Sequence, residues 1–401
     1  AAFAGLHGFC RADQPGPMLC HLIAADEGDA SYFKGECGSP GDEPGTWLEF
    51  YLPFSEFLYE RGPRTALRVA QLGPGVRLQF LASVGGKTPA AFDLRGLRCV
   101  GVDEAAVLRK RLSREAIARQ LLPTERAGGA PHPRLILDPA GKAAILARVG
   151  AVPELAAARA RLLELADSAR RQVSAEEPFG TLLDFPQTST VKGHERRASF
   201  EGQLVPRVTP VEIMAAAYRF SADQELGRHA AAVLATMARQ LTVNDPVIDE
   251  GFYYTRTFYV RALAFGYDWL WDAMSPEQRR DVAATLLGFV LDIHRQSQTG
   301  GWGRRPLHRV WNWDPGLMGA CGLGMLALEG ETRCGEKAIL FDCRRHLRDY
   351  LTLGIDADGC GHEGPNYIGY GIGAGVDFIE ALRRQGRDDL FRATNYDLIP
   401  P

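Results

Sequence analysis

From residue 131 onward, apolar positions recur every three or four residues, the period of a helix that buries one face. In "MSPEQRRDVAATLLGFVLDIH" the recurring set is Val282, Leu286, Val290 and Ile293, and Ser275, Pro276 and Gln278 supply a capping box at its start. "LDPAGKAAILARV" places Asp138 as N-cap and Pro139 at the first helical position, while "FSADQELGRHAAAVLATMARQL" spaces Ser221 and Gln224 as a second capping box. Further helices are predicted over roughly 153–173, 209–220, 255–273, 316–329, 336–353 and 372–385, with Gly354 and Gly386 where the last two end. Such helices come as antiparallel pairs that bury their second faces on neighbouring pairs, with loops converging at one end.

Residues 1–105 read differently. Short segments such as "TWLEFYLPF", "TALRVAQL", "VRLQFLASV" and "AAFDLRGLRCV" are broken by "GPG" and "GG", which predicts an antiparallel β-sandwich. A charged helix and a Gly/Pro linker over 106–130 mark the boundary, and 131–401 form the helical domain.

At 401 residues with 46 % hydrophobic and 24 % charged residues, the chain has the composition of a folded globular protein. No apolar run reaches the length of a membrane helix, and the start "AAFAGLHGFC" lacks the pattern of a signal peptide. A net charge of -3 argues against general nucleic-acid binding. Arg supplies forty of the cations, and Arg295, Arg304, Arg305 and Arg309 cluster before "VWNWDPG"; their planar forks suit an acidic ligand. The eight Cys include no zinc-type spacing. Cys10, Cys20 and Cys37 can form a disulfide in an exported protein, and Cys321 and Cys343 read as buried thiols.

Three stretches carry candidate chemistry. "TGGWGRRPLHRVWNWDPGLMGACGLGMLALEG" joins a loop rich in Arg, His and Trp to a small-residue helix, and Trp302, Trp311 and Trp313 exceed what core filling needs. "IDADGCGHEGPNYIGYGIGAG" aims His362, Glu363, Tyr367 and Tyr370 from a glycine-rich turn, where Asn366 forms the turn. "DEGFYYTRTFYVRALAFGYDWLWDAMSP" sets Tyr253, Tyr254 and Arg256 at a helix start, while Tyr267, Asp268, Trp269 and Trp271 near its end read as packing.

Together with "HPRLILDPAGKAAILARV" and "YDWLWDAMSPEQR", these stretches resemble the heparinase II/III-like polysaccharide lyases, whose relatives include alginate lyases and the dermatan sulfate epimerase. The resemblance covers 131 to about 385. It implies an (α/α) toroid that cleaves uronate-containing acidic polysaccharide by β-elimination, in a periplasmic or extracellular setting. It further implies that Asn312 binds the uronate carboxylate and that Tyr367 protonates the leaving glycosidic oxygen. Substrate would be positioned by Tyr254, Arg256, Arg304, Arg305, Trp311, Trp313, Glu363 and Tyr370. Many relatives carry His directly after this Asn, where Trp313 stands here; His308 and His362 are the substitutes, or Tyr367 is both base and acid. Relatives continue into a C-terminal β-sandwich that often holds a metal, which this chain lacks, so no cofactor is expected within it. A uronate C5-epimerase and a non-catalytic acidic-polysaccharide-binding protein are the alternatives. A hydrolase is weaker, since only Asp358 and Glu363 offer the paired carboxylates such chemistry needs.

Overall fold

A computed structural model describes residues 3–12, 18–26, 29–37, 47–53, 58–59, 77–82, 92–112, 118–119, 121–122, 131–180, 182, 194–243, 254–299, 311–356, 358–392 and 394. The chain divides into two compact units. One comprises Ala1–Leu121 with the short pieces Gln298–Gly300 and Arg333–Ala338; the other comprises Leu122–Ser297, Gly301–Thr332 and Ile339–Pro401.

In the first unit, strands β1 (Phe3–Ala12), β4 (Leu48–Pro53) and β7 (Phe92–Gly101) form an antiparallel sheet in the order β4-β1-β7. Strands β2 (Met18–Asp26), β3 (Asp29–Cys37), β5 (Leu58–Tyr59) and β6 (Arg77–Ala82) pair in the order β5-β3-β2-β6. Leu6 lies opposite Leu52 and Gly8 opposite Phe50, which puts Leu6, Cys10, Phe50 and Leu52 on one buried face. On the other face helix α1 (Val102–Arg111) packs Ala105 and Leu108 on Val100, flanked by Tyr51 and Leu112. The expected fold class, an N-terminal β-sandwich followed by an (α/α) toroid, is corrected. The molecule is mostly helical, strands make up a small share of it, and the three-stranded sheet carries helix α1 on one face. Alternation and turn residues report strands, but they do not report what covers the sheet. The segment "TALRVAQL" and the side chains of Cys20 and Cys37 lie outside the described residues; Cys10 is a free thiol.

The second unit is built from α2 (Pro139–Val149), α3 (Pro153–Gln172), α4 (His194–Ser221), α5 (Gln224–Gln240), α6 (Arg256–Trp269), α7 (Pro276–Thr299), α8 (Trp313–Leu328), α9 (Glu336–Asp349) and α10 (Pro365–Arg384). Asp138 caps α2 by accepting the Gly141 N–H. The Ser275 capping box closes in both directions: the Ser275 N–H donates to the Gln278 side chain at 2.8 Å, and the Gln278 N–H to Ser275 Oγ at 3.2 Å. Ser275→Ala should lower stability by about 1 kcal/mol, measured by chemical denaturation. The box expected at Ser221 is shifted. Ser221 ends α4 and accepts the Asp223 N–H, and Asp223 caps α5 through the N–H groups of Glu225 and Leu226.

Helix α4 begins well before the expected position because it runs through Pro206 and Pro210. Each proline removes a backbone donor, but Leu204, Val208 and Val211 are buried, and this packing outweighs the local penalty. Helix α10 also starts early. Its glycines, read as a turn, are helical and permit close approach to α8: a Cβ on Gly319 would sit 2.5 Å from the Gly375 nitrogen.

Contacts along the helices fix their directions. Asn312 meets Gly371, Pro315 meets Gly375, and Gly322 meets Phe378, so α8 and α10 run parallel. Gly316 lies on Tyr254 and Gly324 near Val260, so α6 runs parallel to α8. Arg261 of α6 bonds Glu212 of α4, and Arg219 of α4 reaches the Trp269 carbonyl, giving α4 the same direction. Helices α5, α7 and α9 return the chain the other way: Tyr259 Oη of α6 donates to the Met237 carbonyl, Cys321 of α8 touches the Val290 carbonyl of α7, and Asp314 of α8 pairs with His346 of α9. The starts of α6, α8 and α10 therefore share one end of this unit.

One buried and one half-buried ionic cluster tie the helices together. His132 lies between Asp268, 2.5 Å from Nδ1, and Glu331, 2.7 Å from Nε2, stacked on Trp271. Asp268 also accepts the N–H groups of Arg134 and Leu135, and the Tyr267 hydroxyl donates to Glu331 at 2.6 Å. Burial opposes ionisation of Glu331, yet His132, Tyr267 and Arg134 hold its carboxyl below the usual range. The "YDWLW" group thus packs as expected, with the "HPR" segment as its partner.

In the second cluster Arg261 of α6 bonds both Glu212 of α4, at 2.6 Å, and Asp377 of α10. Burial raises both carboxyls, Glu212 to about 7, against the pull of Arg261. A carboxyl whose folded pKa lies above its unfolded value binds more protons when folded, so its contribution is largest at low pH. Stability from Glu212 should therefore fall as pH rises from about 4.5 to about 7. Glu212→Gln should flatten that part of a stability-against-pH curve, read from urea midpoints.

Candidate functional site at the paired starts of two parallel helices

Parallel packing of α8 on α10 brings two helix N-termini together. Neither has a side-chain cap: Asn312 precedes α8, and Gly364, at φ 89°, precedes α10 with Pro365 in the first position. Aligned peptide dipoles direct the positive end of each helix to this side, and two such ends favour an anion.

Asn312 stands at the centre of this arrangement. It is only 2 % exposed, held by the close contact with Gly371, and its backbone N–H donates to Glu363 Oε2 at 2.5 Å. Its amide nitrogen Nδ2 is buried with no hydrogen-bond partner. A buried donor without a partner costs roughly 1–3 kcal/mol, a cost that a bound acceptor would remove. Tyr367 lies one helical turn before Gly371, on the side of α10 that faces Asn312, and its side chain leans toward the helix start. It is 48 % exposed, and Trp311, beside Asn312, is 47 % exposed. The buried amide donor thus has the exposed Trp311 beside it in the chain and the exposed Tyr367 on the facing side of α10.

Behind Asn312 the site is held by groups the sequence did not single out. Asp314, fully buried in the first turn of α8, accepts from His346 Nδ1 at 2.9 Å. Tyr350 is 2 % exposed on a single π-helical turn, Tyr350–Gly354, an irregularity common at functional sites. Burial pushes its phenol up to about 12, and the Glu363 charge adds to that. Tyr254 packs on Gly316, and burial, with help from Glu201 and Tyr350, pushes its phenol higher still.

The remaining expected site residues are placed as follows. Glu363 joins Asn312 directly, and Trp313, partly buried, opens α8. His362 is exposed and gives its Nε2 proton to the Leu353 carbonyl at 2.7 Å. Arg256 is fully buried in an ion pair with Asp292, which also accepts from Arg295 and Gln296. Tyr254 is 1 % exposed. Both therefore belong to the interior beside the site and not to its opening. His308, Arg304, Arg305 and the side chain of Tyr370 lie outside the described residues. Asp358 and Glu363 are both described, but only Glu363 meets Asn312. Cys321 and Cys343 are buried free thiols, as read from the sequence.

Signals for the missed residues were present but weak. Asp314, two residues after Asn312, is an acidic residue in an otherwise apolar helix, and Tyr350 precedes "LTLGID", where no helical rule predicts an expanded turn. Among the described residues no group of three or more His, Cys, Asp or Glu has an arrangement that could hold a metal ion. No helix among them is long and apolar enough to cross a membrane. No family model and no curated protein sequence matches this chain.

Proposed function

We propose that this chain is a polysaccharide lyase that cleaves uronate-containing acidic polysaccharide, of glycosaminoglycan or alginate type, by β-elimination outside the cytoplasm. The observation that carries the reading is the buried Nδ2 of Asn312, without a hydrogen-bond partner, at the start of α8 beside α10, with Trp311 and Tyr367 exposed. A uronate carboxylate is an anion that such a donor suits, and β-elimination is the chemistry that gains from it. When C5 loses its proton, charge moves onto the carboxylate, and a fixed amide donor and two helix dipoles stabilise that charge most as it develops.

Tyr367, as the phenolate, takes the C5 proton. The C5–H electron pair forms the C4–C5 double bond, the C4–O bond breaks, and the same tyrosine returns its proton to the leaving oxygen. One group serving both steps confines the reaction to substrates with proton and leaving group on the same face. Trp311 offers a flat apolar surface for a sugar ring, and Asp314 with His346 holds the first turn of α8 in place.

Incubation with a panel of uronate polymers should raise the ultraviolet absorbance of the unsaturated product. No rise on any of them would sink the reading. The commitment of His362 to the Leu353 carbonyl, together with Trp313 beside Asn312, favours one other reading, a protein that binds the polymer without turnover. It predicts binding that survives Tyr367→Phe and no product from either form.

A further inference from the structure

Glu363 touches the same donor set that the proposed carboxylate would use. Its Oε2 accepts the Asn312 backbone N–H at 2.5 Å, so in the free protein one end of the anion position already holds a carboxylate. The occupation is partial. Asn312 presents two donors at the start of α8, its backbone N–H and Nδ2, and Glu363 takes only the first while Nδ2 stays buried and unpartnered. The geometry points to Glu363 as an internal stand-in for the substrate's carboxylate, one that must leave before a carboxylated sugar can engage both Asn312 donors. This inference rests on the reading of the site as a uronate pocket.

Three features make such a displacement feasible. Glu363 is an exposed residue, so its side chain can move into water without a desolvation cost. It lies between Gly361 and Gly364, the latter at φ 89°, in a segment that turns sharply into α10. Its charge also faces inward, since it adds to the rise of the buried Tyr350 phenol. A second carboxylate entering while Glu363 remained would meet like charge at close range, so entry and departure are coupled. Glu363 would thereby set a threshold. Ligands that satisfy both Asn312 donors and stack on the aromatic edge displace it, whereas simple monocarboxylates bind poorly. A neutral sugar has nothing to place on those donors.

The test compares wild type, Glu363→Gln and Glu363→Ala for binding of D-glucuronate by calorimetry, with glucose as the neutral control and circular dichroism to confirm folding. The expected result is that both variants bind glucuronate about tenfold more tightly than wild type, the gain expected if the position is open in about a tenth of wild-type molecules. The gain should vanish when Asn312→Ala is added, and glucose should not bind any form. Weaker or unchanged glucuronate binding in both folded variants would overturn the inference. If wild type still cleaves a uronate polymer in that case, the lyase reading stands without it. No glucuronate binding by any form, together with no cleavage, overturns both.

Discussion

Replacing Asn312 with Ala lowers kcat/KM on the preferred uronate polymer by about 10²- to 10³-fold, the loss typical when one donor to a developing negative charge is removed. The size follows from burial. Asn312 Nδ2 is shielded from water, so no solvent molecule takes its place cheaply, and in the proposed reaction its bond to the carboxylate would strengthen as C5 is deprotonated. Asn312→Asp should be at least as damaging, because it sets a negative charge against the substrate's own. The loss should fall mainly on kcat, since the interaction grows toward the transition state. A change confined to KM would show that Asn312 only binds. Initial rates of product absorbance, measured across substrate concentration, separate these outcomes.

Arg256→Ala should destabilise the protein by about 3–5 kcal/mol, the usual cost of removing one partner from a buried ion pair. Both Arg256 and Asp292 are buried, and the pair is a direct contact between α6 and α7. The sequence places Arg256 as a substrate contact, which predicts a raised KM at unchanged stability. The interior position predicts the reverse: a fall in urea midpoint, with KM near wild type in whatever fraction remains folded. Denaturation curves and kinetics on the same preparation distinguish the two.

The contrast shows what was legible in the sequence. Helix starts that depend on local chemistry were readable, because Asp138 and the Ser275 box act on N–H groups two or three residues away. Elements decided by packing were not. Pro206 and Pro210 signal a break in any local rule, and only the burial of Leu204, Val208 and Val211 explains a helix through them. The glycines of "NYIGYGIGAG" look like a turn because glycine favours turns, whereas here they let α10 approach α8.

The N-terminal sandwich failed for a related reason: periodicity marks the strands, but the packing of α1 on Val100 is not written in them. At the site, Asn312, Glu363 and Tyr367 were legible as chemistry-bearing residues in unusual loops. Their convergence, and the contacts of Asp314, His346 and Tyr350, depend on α8, α9 and α10 packing together from separate stretches of chain.

In the proposed reaction the uronate carboxylate is the handle on which elimination turns. That role is tested most directly by comparing kcat/KM on a cleaved uronate polymer with that on the same polymer after its carboxylates have been reduced to primary alcohols. The expected result is cleavage of the native polymer, no detectable cleavage of the reduced one, and loss of the difference in Asn312→Ala. Equal cleavage of both polymers by the wild-type protein would contradict it.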